Sequence, residues 1–195
     1  MLTRDWCHFF WRDPNAVNMP HEYAAITPHR AAFLVKLLKK YCPPPATAFE
    51  PGCNVGRNLA AVKAAGYTVS GVEINQDAVA LARDVNPTVA IRRASLEHVL
   101  KRKSDVASVD AVYTMAVLEH IHPDSEWLFD RLAQMATKCL ITIEDELHNT
   151  ERHKARNYRI VFEALGLKQV EQSVPPENTE LGTAFIARVF MKDQP

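Results

Sequence analysis

Between residues 27 and 166 the apolar positions follow two periods in turn. Thr27 and Pro28 read as an N-cap and a first helical residue, and Ala31, Phe33, Leu34, Leu37 and Leu38 then form a stripe at helical spacing. That helix is expected to end near Tyr41, because Pro43 to Pro45 cannot continue it. A strand over 46–50 leads to a helix over 57–65 that Gly66 closes, and YTVSGVEI at 67–74 is the next strand. Asn75 is placed to cap the helix after it. VAIRRA, DAVYTM and CLITIED read as later strands, separated by helices over about 96–102 and 125–137, and a further helix is expected over 151–165 before Gly166.

Repeated alternation of strand and helix implies a parallel sheet covered on both faces. Beyond Gly166 the pattern changes. LKQVEQS and TAFIARVFM follow one another with no helix between, joined by a loop holding Pro175, Pro176 and Gly182, so they are expected to pair as an antiparallel hairpin. Residues 1–26 carry Trp6, Phe9, Phe10, Trp11 and Tyr23 without sustained periodicity and read as an N-terminal arm or short helix; 27–195 read as the domain proper.

Composition narrows the class. A chain of 195 residues suits one domain, and 47% apolar and 24% charged residues, with 23 basic against 23 acidic, is the balance of a soluble globule without a strong field toward nucleic acid or anionic membrane. Basic groups at Arg92–Arg93, Lys101–Lys103 and Arg152–Arg159 read as solvated faces, so a nucleic-acid partner is not expected. Cys7, Cys42, Cys53 and Cys139 are far apart, show no CxxC spacing and follow a start without a signal peptide's apolar core, which fits a cytoplasmic protein. No apolar run approaches the roughly 20 residues of a spanning helix. The oligomeric state is left open.

The chemistry concentrates in FEPGCNVGRN at 49–58, between the first strand of the repeat and its helix, where open α/β sheets bind ligands. Gly52 and Gly56 permit backbone angles and close approach that a Cβ would block, and the amides opening the next helix can donate to a ligand. A pyrophosphate fits poorly: Asn54 stands at the second position of a GxGxxG turn, Asn58 lies where the pattern needs glycine, and Glu50 would repel the anion. An ammonium or sulfonium group would instead welcome Glu50. No GxxxxGK[ST] run occurs. Glu73, closing YTVSGVEI about 20 residues on, is placed to accept ribose hydroxyl hydrogen bonds.

Taken together, EPGCNVG at 50–56, Glu73, VDAVYTMAVLEHIHPD and the final hairpin resemble the class I S-adenosylmethionine-dependent methyltransferases over roughly residues 29–191. The resemblance implies an α/β fold with a seven-stranded, mostly parallel sheet, helices on both faces and an antiparallel last strand. It implies S-adenosyl-L-methionine as cofactor. Glu50, Gly52, Cys53, Asn54 and Gly56 would line its methionine part, Glu73 its ribose, Ile74, Ser95 and Leu96 its adenine, and Thr114 and Met115 the floor near the sulfonium. A carboxylate at the adenine would require Glu97 to turn inward. Cys53 is expected to be a packed residue and no nucleophile.

For methyl transfer the protein chiefly supplies alignment and exclusion of water. A general base, where the acceptor carries a proton, would come from His120, His122 or His148. Glu144 and Asp145 lie on the same side of the predicted sheet, and Trp11, Tyr23 and Glu144 are the expected substrate contacts, with the aromatic arm as an apolar lid. Glu119, His120, His122 and Asp124 could be read as a metal site that His148 completes. Because Ala116 stands where a related metal-binding loop has glutamate, no metal is expected. A small-molecule acceptor is the leading expectation. An RNA or protein acceptor, or a non-catalytic binder of the cofactor, are the alternatives.

Overall fold

A computed structural model of the chain describes residues 2–13, 18–101 and 107–192. The expected alternation is realised as β1 (Thr47–Pro51), α4 (Arg57–Ala64), β2 (Thr68–Glu73), α5 (Gln76–Val85), β3 (Ala90–Arg93), α6 (Leu96–Leu100), β4 (Val109–Met115), α7 (Trp127–Met135), β5 (Ala136–Asp145), α8 (Tyr158–Ala164), β6 (Leu167–Ser173) and β7 (Phe185–Lys192). Three helices precede them: α1 (Arg4–Arg12), α2 (Pro20–Ala24) and α3 (His29–Tyr41). The seven strands lie in the order β3-β2-β1-β4-β5-β7-β6, parallel from β3 through β5, with β7 running antiparallel to both β5 and β6. No helix among the described residues is long and apolar enough to cross a membrane.

Strand periodicity divides the core in two. Tyr113, Ile141 and Val189 enter a cluster with Leu34, Leu38, Leu59 and Val79, whereas their neighbours Val112, Leu140 and Phe190 enter another with Leu128, Leu132, Tyr158 and Phe162. Successive side chains of a strand point to opposite faces, so the continuous apolar runs of β4, β5 and β7 need helices on both sides. Those are α3 and α4 with α5 on one face, and α6, α7 and α8 on the other.

Local signals operate as expected at most helix ends. Thr27 Oγ1 accepts the His29 amide at 3.3 Å ahead of α3, and Asn75 Oδ1 accepts the amides of Asp77 and Ala78, each at 3.0 Å. The expected helix over 151–165 is a correction: only Tyr158–Ala164 is helical, opened by Asn157. Residues 151–157 are instead drawn across the turn after β4. The Lys154 amide donates to Glu119 O at 2.8 Å, and Arg156 donates through Nη1 to Leu118 O at 3.1 Å and through Nη2 to Ile121 O at 2.7 Å. Those long-range bonds outweigh a helical propensity of tenths of a kcal/mol per residue. Lys154 and Arg156 therefore do not lie on a helix face, Arg159 on α8 pairs with Glu163 at 3.0 Å, and Arg102 and Lys103 of the second basic group lie outside the described residues.

Two glycines separate packing from backbone cost. A Cβ on Gly56, at φ +73°, would stand 2.6 Å from Asn86 Nδ2 and 3.3 Å from the Ala82 Cα, whereas Gly166, at φ +83°, has open space. Gly56→Ala is expected to cost about 2–3 kcal/mol and Gly166→Ala about 1 kcal/mol. Urea unfolding midpoints measure the difference, and equal shifts would show that the contact of α4 with α5 does not constrain Gly56.

Candidate active site

β1 and β4 are neighbours whose following connections diverge to opposite sides of the sheet, which leaves a crevice at their carboxyl ends. A cavity lies there, bordered by Glu50, Gly52, Asn54, Glu73, Met115 and Ala116. Three buried acids, Glu50, Glu73 and Glu144, stand near the carboxyl ends of the strands, and Glu73 and Glu144 accept amides of the turns there.

Glu73 ends β2. Its Oε1 accepts the amides of Ile74 at 2.7 Å and Asn75 at 2.9 Å, and its Oε2 accepts the Asn54 amide at 2.9 Å, so the turn after β1 is tied to the end of β2. Burial raises its pKa, and these amides oppose the rise. Of about four lone-pair sites on a carboxylate, one on Oε2 stays open to a ligand hydroxyl. Asn54 holds a left-handed φ of 46°, and its Oδ1 is buried without a hydrogen-bond partner among the described residues.

Glu50 ends the polar side of β1. Its Oε1 accepts Asn58 Nδ2 at 2.8 Å, and the Tyr113 hydroxyl stands 3.4 Å from Oε2. Burial pushes its pKa up to about 8, against those two hydrogen bonds and the charge of Arg57. Burial thus favours the neutral form of this carboxyl. Arg57 also borders the cavity, and its Nε and Nη1 are buried without a partner among the described residues. The cavity wall therefore presents a carboxyl group and a guanidinium side by side, complementary to an amino-acid zwitterion.

Glu144, expected to contact substrate, is consumed elsewhere. Its Oε2 accepts the amides of Val117 and Leu118, both at 2.9 Å, and of Glu119 at 3.3 Å, directly after Ala116 at φ 55°. The carboxylate anchors the loop after β4 and does not border the cavity. Burial pushes it up to about 7. Glu119 is likewise buried, accepts the Asp145 amide on Oε2 at 2.5 Å, and is pushed up to about 8 by burial and by Glu144.

The three histidines have different fates. His148 lies away from the cavity, its side chain 68% exposed and its Nδ1 2.6 Å from Asp145 Oδ2. His122 borders the cavity, but Nε2 donates to Leu2 O at 3.0 Å and Nδ1 accepts the Asp124 amide at 3.2 Å, so both nitrogens hold structure. His120 borders it too, with Nδ1 donating to Arg152 O at 3.1 Å; burial takes its pKa down to about 4.

The arm covers this end of the cavity. Trp11 lies on the His120 ring at a centroid distance of 4.4 Å, and Tyr23 borders the cavity from α2. Phe9 is exposed, and Trp6 stacks on Phe10 at 5.3 Å, outside the lining. Glu97 turns toward the arm: it holds His8 Nε2 at 2.9 Å and accepts the Ser125 hydroxyl at 2.8 Å. Both contacts fall on Oε1, and Glu97 itself borders the cavity, as a carboxylate near the adenine would require.

The remaining expected residues divide similarly. Gly52, Cys53, Ile74, Ser95, Leu96 and Met115 border the cavity. Ser95 spends its hydroxyl on the His98 amide. Thr114 does not border it, because strand alternation turns it into the sheet's buried layer while Met115 faces the crevice. Gly56 serves the packing of α4 on α5, and Asn86 Nδ2 donates to its carbonyl at 3.0 Å. Burial pushes the Cys53 thiol well up, which suits a packed residue. Sequence reasoning missed Arg57, Asn58 and His8. A cation one residue past the glycine turn was the available signal for Arg57.

Residues 49–138 match a family described as a methyltransferase domain. The magnesium protoporphyrin IX methyltransferase of Synechocystis PCC 6803, solved with S-adenosylmethionine bound, aligns with a TM-score of 0.66 at 17% identity, covering 85% of this chain and 79% of that one. A TehB-like S-adenosylmethionine-dependent methyltransferase of Corynebacterium glutamicum gives 0.66 at 16% identity, over 85% and 88%. The Burkholderia thailandensis 1,6-didemethyltoxoflavin-N1-methyltransferase, solved with 1,6-didemethyltoxoflavin and S-adenosylhomocysteine, gives 0.63 at 19% identity, over 93% and 92%. A search of curated proteins found no match.

An ammonium bound against Glu50 must displace its proton. S-adenosylhomocysteine carries such a group, and calorimetry near pH 7 in buffers of different ionisation enthalpy is expected to show release of up to about one proton per site. Affinity then rises with pH toward the value of about 8 at which free Glu50 ionises. Glu50→Gln is expected to abolish the release; buffer-independent heats in the parent protein would refute the assignment.

Proposed function

We propose, from the premise that the chain carries a class I methyltransferase domain of the S-adenosylmethionine-dependent kind, that it methylates a small molecule in the cavity beneath the N-terminal arm. The observation that carries this reading is continuity: one cavity runs from Glu50 and Glu73 to a roof of Trp11, Tyr23 and His120. The donor end fits the cofactor. Arg57, with two buried nitrogens lacking partners, would take the methionine carboxylate, Glu50 the ammonium and Glu73 a ribose hydroxyl. When bound, S-adenosylmethionine supplies a methyl group already made electrophilic by its sulfonium.

The chain's own contribution is placement and exclusion of water. Trp11 and Tyr23 offer an apolar surface to a flat acceptor, and the Glu144-anchored loop holds His120 beside it. With His122 engaged at both nitrogens, His120 held neutral by burial and His8 tied to Glu97, no histidine among the described cavity residues is both free and strongly basic. This favours an acceptor atom that attacks through a lone pair needing no prior deprotonation. The toxoflavin enzyme, an N1-methyltransferase, is a structural neighbour with a nitrogen acceptor. Small size is further supported by the use of Arg152 and Arg156 as internal supports, which leaves no basic track over residues 152–156 for RNA. Four free, buried cysteines suit a reducing cytoplasm.

Labelled methyl from S-adenosylmethionine is expected to enter the small-molecule fraction of a cell extract; label confined to RNA or protein would refute the acceptor class, and binding without transfer would make the chain a sensor. Glu73→Ala is expected to weaken cofactor binding about ten- to hundredfold, given roughly 1.5–3 kcal/mol for a hydrogen bond to a charged acceptor. A deletion of residues 1–20 that keeps cofactor affinity but loses turnover identifies the arm as a lid, whereas loss of folding identifies it as packing.

The arm's latch also titrates. The hydrogen bond to Glu97 raises His8 despite burial, so its contribution is complete below ~6.5 and fades as pH rises through the raised value. Glu97, with burial opposed by His8, its own amide and Ser125, comes down to about 2; its contribution is present above ~4.3 and is lost as pH falls toward that value. Arm closure, followed by tryptophan fluorescence, is expected to be firmest between about pH 4.3 and 6.5, and His8→Ala should flatten the alkaline side.

A further inference from the structure

Behind the cavity roof three donor atoms from two separate loops converge. Glu119 Oε1 lies 3.5 Å from His120 Nε2 and 3.8 Å from His153 Nε2, and all three atoms lie within 4.8 Å of one another. Of the set read from sequence, only Glu119 and His120 take part. His122 faces Leu2, the Asp124 side chain is 73% exposed, and His148 pairs with Asp145. The third donor is His153, brought in by the same Lys154-to-Glu119 backbone bond that keeps 151–157 out of a helix. The absence of an acid at position 116 therefore does not leave the cluster with only two donors.

We propose that Glu119, His120 and His153 bind a divalent transition-metal ion of the zinc type, leaving a coordination position open. Tetrahedral zinc with ligands at about 2.0–2.1 Å places donors about 3.3 Å apart, so the two measured separations need only small side-chain shifts. The outer contacts are those a metal site requires. His120 Nδ1 donates to the Arg152 carbonyl, which turns the Nε2 lone pair inward. Glu119 Oε2 is held by the Asp145 amide, freeing Oε1, and His153 Nδ1 is engaged by Thr150 Oγ1 at 3.1 Å. Two imidazoles and one carboxylate are also the donor set of catalytic zinc sites, whose fourth position is left for water or substrate. No cysteine is needed: Cys7, Cys42, Cys53 and Cys139 stand outside the cluster. His120 belongs to both the cluster and the cavity wall, so an ion here would stand at the edge of the acceptor's space.

Binding can be read without any transfer assay, so its outcome is independent of the proposed reaction. The full chain, stripped with a chelator, is titrated with Co²⁺ and the bound ion displaced with Zn²⁺. One equivalent giving visible d–d absorption without a thiolate charge-transfer band is expected. His153→Ala should weaken binding at least tenfold, while His148→Ala should match the parent protein. His153 sits in a partly exposed loop, and thermal unfolding checks that the variant is folded; His153→Gln is the second variant if alanine disturbs the loop. Zn²⁺ should raise the parent's Tm and leave the His153 variants unmoved. Absence of binding at millimolar Co²⁺, unchanged affinity in both His153 variants, or a thiolate band would overturn the proposal.

Discussion

The architecture of this site depends on one requirement: backbone amides released where a parallel strand ends must find acceptors in a place with little water. The chain meets it with buried carboxyl groups. Glu73 takes three amides and Glu144 takes three more, while Glu119 takes the amide of Asp145. Each acid thereby pins a turn that would otherwise be free, and the pinned turns are the walls of the cavity. Ala116 holds a left-handed backbone directly before three amides anchored on a single oxygen, which offsets the cost of that conformation.

The same burial that makes these acids good anchors leaves them poised electrostatically. Removing a carboxylate from water favours its neutral form, and Glu50, Glu119 and Glu144 all rise, to about 8, 8 and 7. Burial raises Glu73 too, and the amides of Asn75, Asn54 and Ile74 oppose that rise. A cationic ligand changes this balance locally: it restores the charge on an acid whose desolvation has already occurred on folding. The proposed roles of Glu50 toward a cation and of Glu73 toward a hydroxyl would thus come from one physical arrangement used in two ways.

The second organising feature is the turn after β4. It is held from below by Glu144 and from the side by the extended 151–157 segment, and it carries the N-terminal arm through His122 and Trp11. The roof of the cavity, the outer His153 and the start of the chain therefore meet at one short loop. Arg152, lying over the Phe10 ring at 4.9 Å, extends the contact to the arm's first helix.

The sequence by itself determined what depends on local periodicity and local caps. The apolar runs of β4, β5 and β7, the helical stripe of α3, the cap Asn75, and the positions of Glu50 and Glu73 near strand ends can all be read within a window of a few residues. The tertiary structure decided whatever rests on partners distant along the chain. Residues 151–157 carry helix-forming side chains, yet carbonyls of residues 118–121 claim their donors. Glu144 and His122 looked free on the page of residues because their partners, the amides after Ala116 and the Leu2 carbonyl, are 25 to 120 positions away. Thr114 and Met115 are adjacent letters on opposite faces of one strand. A side chain's chemistry is written in its type, but its availability is settled by which neighbours have already taken its lone pairs and protons, and only folding brings those neighbours into reach.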